Sequence, residues 1–327
     1  MKQPAPGRWK RWIRRLLTVG IMIICIAALA GATYEFVSGR RDARRFPQEG
    51  RSVDIGGFRL NIHCAGQGGP AVILDSGLGI PAMGWDLVQP DVARFTQVCS
   101  YDRAGYGWSD PGPLPRTSLE IAKELHRLLH NAGIPPPYIL VGHSFGGFNA
   151  LVFNGQYASE VAGMVLVDSS QVDEHTPSPA MTAGEKKEDA ETRLLARLYP
   201  ALFHLGVARW YLARDPTPLP EHLDAGLRYL ILQPKHFRAM VEENLSSAES
   251  SEQVRESGNF GDKPLIVLTA GVSRPGHAQL QRKLVQLSTR GQQIIVEKSA
   301  HLIPFEQPQA VGNAIRSVFD AVTGAHR

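Results

Sequence analysis

Cysteine is scarce in this chain. Its three copies, Cys25, Cys64 and Cys99, form no C-x-x-C pair and no Cys/His set with the spacing of a zinc site. No metal is therefore expected. Glycine is plentiful, yet no G-x-x-x-x-G-K-[S/T] loop and no G-x-G-x-x-G turn occurs. The usual phosphate and dinucleotide cradles are excluded, and no cofactor is expected. Internal repeats and low-complexity tracts are also missing. What remains is ordinary globular composition, 43% hydrophobic and 20% charged, in 327 residues. That length suits one large α/β domain with an insertion, or two ordinary domains.

The formal charge of +4 is not spread over the chain. Lys2, Arg8, Lys10, Arg11, Arg14 and Arg15 crowd the start, and Arg40, Arg41, Arg44, Arg45 and Arg51 follow later. Such a distribution does not describe a nucleic-acid-binding face, and no nucleic-acid partner is expected. Between the two basic clusters, Leu16–Tyr34 holds 19 residues without a charge. About 20 apolar residues cross a bilayer core as a helix. Basic residues ahead of the run favour a cytoplasmic N-terminus, although the second cluster weakens that asymmetry. Two readings stand, a cleaved signal peptide ending near Ala28-Leu29-Ala30 and an uncleaved signal anchor. The length of the run and its arginine flanks favour the anchor. The expected layout is a basic tail over 1–15, a transmembrane anchor over 16–37 and a linker over 38–50. The protein is then a single-pass membrane protein, its large domain on the extracytoplasmic side.

Beyond the linker, short β-rich runs alternate with helical patterns. Ser52–Ile55 and Phe58–His63 flank Gly56-Gly57 as a hairpin does. Ala71–Leu74, Gln97–Tyr101, Tyr138–Val141, Met164–Val167, Leu265–Thr269 and Ile294–Glu297 read as buried strands. Helices are predicted over Thr117–Ala132, starting at a Thr-Ser-Leu-Glu capping box, over Phe145–Tyr157, Leu280–Leu287 and Ala310–Val322. Residues 171–258 carry helical patches, such as Glu191–Tyr199 and Phe203–Leu212, and no strand pattern. The chain thus divides into a core over 51–170, a helical cap over 171–258 and a second core segment over 259–327. Alternating strands and helices predict a mostly parallel sheet covered on both faces.

Gly142-His143-Ser144-Phe145-Gly146 fits G-x-S-x-G between a strand and a helix. A turn that tight leaves no room for side chains two positions either side of the serine. Ser144 is the expected nucleophile, and the Phe145 N–H at the helix start is an expected oxyanion donor. A serine hydroxyl needs a base. His301, in the loop after the last strand, is the expected one; His143, beside the serine, is expected to shape the pocket. The carboxylate is harder to place. Ala270–His277, after the strand Leu265–Thr269, contains none. Asp168, at the end of Met164–Val167, is the expected acid, with Asp173 and Glu174 as rivals. Leu78, in the loop after Ala71–Leu74, is the expected second oxyanion donor.

Four motifs in order, Ser76-Gly77-Leu78-Gly79, Tyr101-Asp102-Arg103-Ala104-Gly105-Tyr106-Gly107-Trp108-Ser109, the Ser144 elbow and Ala300-His301-Leu302-Ile303-Pro304, resemble the α/β-hydrolase superfamily, in particular its esterase-like members with a helical cap. Ser76 stands where the family usually has histidine. The resemblance implies an eight-stranded sheet whose second strand is antiparallel to its neighbours, with an acid taken from the earlier strand as in some of its lipases and dehalogenases. It also places the strand of Cys64 beside that of Cys99, so an exported domain is expected to join them in a disulfide. The function expected is cleavage of carboxylic esters of small or lipid-like substrates through an acyl-enzyme. Alternatives are another Ser-His-Asp enzyme (aminopeptidase, C–C hydrolase or acyltransferase) and a non-catalytic ligand-binding relative. Leu195, Tyr199, Phe203, Trp210 and Tyr211 are expected either to roof an apolar pocket or to pack within the cap. Oligomeric state is left open.

Overall fold

Runs of apolar residues bounded by glycine and proline become the strands of one sheet in a computed structural model of the chain, which describes residues 7–172, 199, 201–212 and 219–324. The strands are β1 (Arg51–Asp54), β2 (Arg59–Ala65), β3 (Ala71–Asp75), β4 (Val98–Tyr101), β5 (Tyr138–His143), β6 (Val161–Val167), β7 (Leu265–Ala270) and β8 (Gly291–Val296). Their order is β1-β2-β4-β3-β5-β6-β7-β8. β2 runs antiparallel to β1 and β4, and every later pairing is parallel. This is the sheet expected above. Cys64 lies opposite Cys99 in the β2–β4 register, and the two form a disulfide.

The helices are α1 (Gly7–Arg45), α2 (Gln89–Val92), α3 (Ser118–Asn131), α4 (Phe145–Gln156), α5 (Val207–Leu212), α6 (Glu221–Ile231), α7 (Pro234–Leu245), α8 (Ser247–Glu256), α9 (His277–Val285), α10 (Ile303–Glu306) and α11 (Pro308–Thr323). Strands β3 and β5 are buried along their whole length, which is why they read as unbroken apolar runs rather than alternating ones. Alternation then sends successive side chains to opposite layers. Leu140 joins Leu125, Leu128 and Phe153 on the face covered by α3 and α4. Ile139 and Val141 join Val311, Ile315 and Val318 on the face covered by α11. α3 begins as its capping signal predicts, with the Thr117 hydroxyl accepting from Glu120 N–H at 3.4 Å. The box is only half made, since the Glu120 carboxylate pairs with Lys123 at 2.8 Å.

Several boundaries differ from the sequence reading. α9 starts at His277, three residues before the predicted Leu280, because Gly276 takes a left-handed φ of 86° and turns the chain into the helix. The helix predicted over Phe203–Leu212 is broken at Leu205–Gly206, where Gly206 has φ 70°. Residues 201–204 and α5 are helical on either side. α1 continues through residues 38–45 of the predicted linker, where Arg-rich sequence carries no helix breaker. Leu195, Asp173, Glu174 and most of Glu191–Tyr199 lie outside the described residues.

The chain forms two compact units. Gln48–Ala196 with Pro218–Arg327 holds the sheet and α6–α8, while Met1–Pro47 with Arg197–Thr217 holds α1 and α5. Among the described residues α1 is the one helix long and apolar enough to cross a membrane, and its apolar stretch is unburied.

Candidate active site

Parallel strands end together, so the loops after β3, β5, β6 and β7 gather at one edge of the sheet. In register, Asp75 pairs with Gly142, His143 with Val167, and Val167 with Leu268. At the end of β5 the chain turns into α4 through Ser144, which has φ 51° and ψ −120°. That conformation is costly for a residue with a side chain. It is held by bonds on both sides, Ser144 N–H to Val167 C=O at 3.1 Å and Ser170 N–H to Ser144 C=O at 3.1 Å. The flanking glycines are sterically required. A Cβ on Gly146 would strike the Asp75 backbone, and one on Gly142 would strike Gly146 and Gly147.

His301 arrives from the loop between β8 and α10. Its Nε2 lies 2.9 Å from Ser144 Oγ and its Nδ1 2.7 Å from Asp168 Oδ2. In the neutral tautomer that satisfies both contacts, Nδ1–H donates to the carboxylate and the Nε2 lone pair accepts from the serine hydroxyl. Asp168, like Ser144, is a non-glycine residue with positive φ, 42°. Its carboxyl is buried, and Ala270 N–H donates to Oδ1 at 2.9 Å. Burial alone raises such a group. Hydrogen bonds from His301, the Ala270 N–H and His277 outweigh it and hold Asp168 below the usual carboxylate range. The structure therefore brings Ser144, His301 and Asp168 into one connected relay.

Around that relay lie His277 and Gln281, whose part the sequence does not reveal, and His143, which the sequence placed beside the serine. His277, the first residue of α9, places Nε2 2.7 Å from Asp168 Oδ1. Gln281, one turn on, donates to Ser169 C=O at 2.6 Å. His143 Nε2–H donates to the His301 carbonyl at 2.9 Å, so it braces the His301 loop from beneath. Burial, helped by the nearby His301, pushes His143 down to about 4, and it stays neutral at ordinary pH.

The expected oxyanion donors lie on two elements next to Ser144. Phe145 opens α4, where the first N–H groups have no partner within the helix. Leu78 follows Gly77, whose Cα carries its free face 3.2 Å (at the Cβ position) from Ser144 Cβ. The Gly77–Leu78 loop is tied down by Arg103. Its guanidinium donates to the Ser76 carbonyl at 2.6 Å, the Gly77 carbonyl at 3.0 Å and Asp75 Oδ1 at 2.7 Å. Across a trans peptide, C=O and N–H point in opposite directions. With the Gly77 carbonyl fixed on Arg103, the Leu78 N–H faces away from it. Arg103 is held in turn by Glu243 of α7, through two bonds of 2.9 Å. Gly79 is gripped on both backbone groups, its N–H by Tyr106 Oη and its C=O by His236 Nε2, each at 3.0 Å. Ser76, at the position where histidine was the more usual residue, is buried and donates to Pro81 C=O at 3.3 Å.

A mostly parallel sheet with a strained serine at a strand–helix junction defines a hydrolase scaffold. The comparisons with known proteins agree. The model of the alpha/beta hydrolase family matches residues 71–314. YqjL of Bacillus subtilis (strain 168) is 25% identical over 269 residues, 79% of this chain and 87% of that protein. YbdG of the same organism is 24% identical over 148 residues, a stretch spanning 45% of this chain but only 46% of YbdG. Among solved structures, a thermophilic esterase from Thermogutta terrifontis superposes with a TM-score of 0.63 at 21% identity, covering 84% of this chain and 99% of that one. The chain belongs to the alpha/beta hydrolase family, and its class of activity is hydrolysis.

Proposed function

We propose that the protein is a serine hydrolase that cleaves carboxylic esters of small or lipid-like substrates through an acyl-enzyme. The observation that carries this reading is the unbroken line from Ser144 Oγ through His301 to the Asp168 carboxylate, with contacts of 2.9 and 2.7 Å. Ser144 attacks the ester carbonyl as His301 Nε2 takes its proton. Asp168 holds the tautomer that leaves Nε2 free to accept, and stabilises the imidazolium that forms. The carbonyl oxygen becomes an oxyanion that the N–H groups of Phe145 and Leu78 receive. His301 returns the proton to the leaving alcohol, then activates a water that attacks the acyl-enzyme and releases the acid.

The large unit works outside the cytoplasm, tethered by residues 16–37. The Cys64–Cys99 disulfide supports this placement, because such bonds persist in oxidising compartments. The esterase likeness in fold supports an ester substrate. The experiment is active-site labelling with a fluorophosphonate probe, followed by turnover of p-nitrophenyl esters of graded acyl length. The wild-type protein is expected to label and turn over. Ser144→Ala should lose the label and at least about 10³-fold in kcat. Equal labelling of the two proteins would reject Ser144 as nucleophile.

A further inference from the structure

Glu35 is the first charged residue after the apolar run of α1, and it does not meet the bilayer boundary alone. Arg209 of α5 forks onto it, Nε to Oε2 at 2.8 Å and Nη2 to Oε1 at 3.0 Å. The remaining nitrogen, Nη1, reaches Asp42 Oδ2 at 2.5 Å. Gly31, Glu35 and Asp42 are spaced by four and seven residues and so share one stripe of α1. At the lower end of that stripe the backbones themselves touch. A Cβ on Gly31 would collide with the Leu205 carbonyl, and one on Gly206 would lie 3.1 Å from the Gly31 carbonyl. Leu205 is thus level with Gly31, and Arg209, four residues on, is level with Glu35 and beyond.

That registration sets depths. Gly31 lies three residues inside Tyr34, about 4–5 Å below the end of the apolar run. Leu202, Leu205 and Val207 are exposed near that level. Trp210 and Tyr211, 55% and 66% exposed, come at the height of residues 36–37, where headgroups begin. Aromatic residues of this kind favour the membrane–water interface. An unpaired carboxylate at such a boundary would be costly; the Arg209 fork lets Glu35 remain there.

We propose that residues 201–212 form a second membrane-contacting element, clamped to α1 by Arg209, that seats Leu202, Leu205, Val207, Trp210 and Tyr211 in the headgroup and upper acyl region of a lipid bilayer. This rests on the reading of α1 as a membrane anchor. The partner is the lipid surface, because the exposed side chains continue the apolar surface of α1 at matching depth. Trp210 and Tyr211 therefore have an interfacial place and do not need to roof a pocket.

The test uses the full chain in phosphatidylcholine vesicles, in a Cys25→Ser background that leaves the Cys64–Cys99 bond intact. An environment-sensitive fluorophore is attached in separate variants at Leu205→Cys, Tyr211→Cys, Ile24→Cys within the apolar run, and Arg44→Cys, about 15 Å beyond Tyr34 along α1. Lipids carrying a nitroxide at acyl carbon 5 quench the probe. Quenching at 205 and 211 is expected to exceed that at 44 several-fold. Arg209→Glu should at least halve quenching at 211, and adding Glu35→Arg should restore it. The proposal is overturned if 205 and 211 quench no more than 44 while 24 is quenched. It is also overturned if 211 is shielded from both lipid nitroxide and aqueous iodide, which would mean that a second protein surface covers it. If position 24 itself escapes the nitroxide, the anchor reading fails and the proposal falls with it.

Discussion

His277 Nε2 stands 2.7 Å from Asp168 Oδ1, so the carboxylate faces a second imidazole on the side away from His301. The segment Ala270–His277 holds no carboxylate, and it ends in a histidine directed at the carboxylate that β6 supplies. The Asp168 side chain is thereby held at both oxygens, by Ala270 N–H and His277 at one and His301 at the other.

His277 is thus a positioning residue for Asp168. His277→Phe removes a donor from a buried carboxylate, a loss worth about 1–3 kcal/mol. A kcat decrease of about 10-fold is expected with KM little changed, and the low-pH edge of the stability profile should move to higher pH as Asp168 becomes easier to protonate. His277→Gln, whose amide still donates, should recover most of the loss. Equal effects of Phe and Gln, with no movement of the pH profile, would show a packing role only.

The same logic applies to the Leu78 loop. Arg103, Asp75 and Glu243 are buried together, and the guanidinium spends three bonds on the Asp75–Gly77 stretch. Lysine cannot reproduce that fork. Arg103→Lys should therefore keep the fold, verified by its thermal transition, and lower kcat by about 10-fold or more through displacement of the Leu78 N–H, the proposed oxyanion donor. Glu243→Gln leaves Arg103 paired with Asp75 alone. It should cost up to about 3 kcal/mol in denaturant unfolding. An Arg103→Lys enzyme with wild-type kcat would remove Arg103 from the positioning of that loop.

Some of this was legible in the sequence because the constraint is local. Gly142, Ser144 and Gly146 announce themselves since a tight turn forbids other residue types at fixed offsets. The lack of an acid in Ala270–His277 turns attention to the segment after Met164–Val167, where Asp168, Asp173 and Glu174 are all candidates in the sequence. Nothing local marks Glu243 as the partner of Arg103, 140 positions away, or His277 as the partner of Asp168, 109 away. Each is a common polar residue on a helix, indistinguishable from a solvated one until the sheet order brings it home. Arg209 is hidden for the same reason. Its partners lie 174 and 167 residues earlier, in a segment that reads as a self-sufficient membrane helix.

Cys64 and Cys99 close a loop of 35 residues' separation. Chain-entropy arguments assign such a crosslink about 3–4 kcal/mol. In a Cys25→Ser background, alkylation under denaturing conditions should add mass only after reduction. Cys64→Ala with Cys99→Ala should lower the urea midpoint accordingly. Alkylation of both thiols before reduction would contradict the bond.

Two buried histidines and one partly buried carboxyl pull stability in opposite directions between about pH 7 and 4: burial raises Asp86 to about 7, so its contribution grows as pH falls, while that of His143 and His236 shrinks. Burial pushes both His143 and His236 from 6.5 down to about 4, and each donates from Nε2 to a backbone carbonyl while neutral. An unfolded chain protonates these imidazoles near pH 6.5; the folded chain resists until about pH 4. Between those values the two imidazoles bind more protons in the unfolded state, so their contribution to stability falls as pH falls, by about 3 kcal/mol per histidine over the window. Asp168 adds a loss of the same sign but lower on the scale. Its folded value lies below 3.8, so its contribution is present above the carboxylate range and disappears beneath it. Urea unfolding at pH 7, 6, 5, 4 and 3 separates the two effects. His236→Gln should remove one histidine's share of the slope between pH 6.5 and 4 and leave the drop below pH 4 in place. A His236→Gln curve parallel to the wild-type curve from pH 7 to 4 would mean that the fold does not keep His236 neutral.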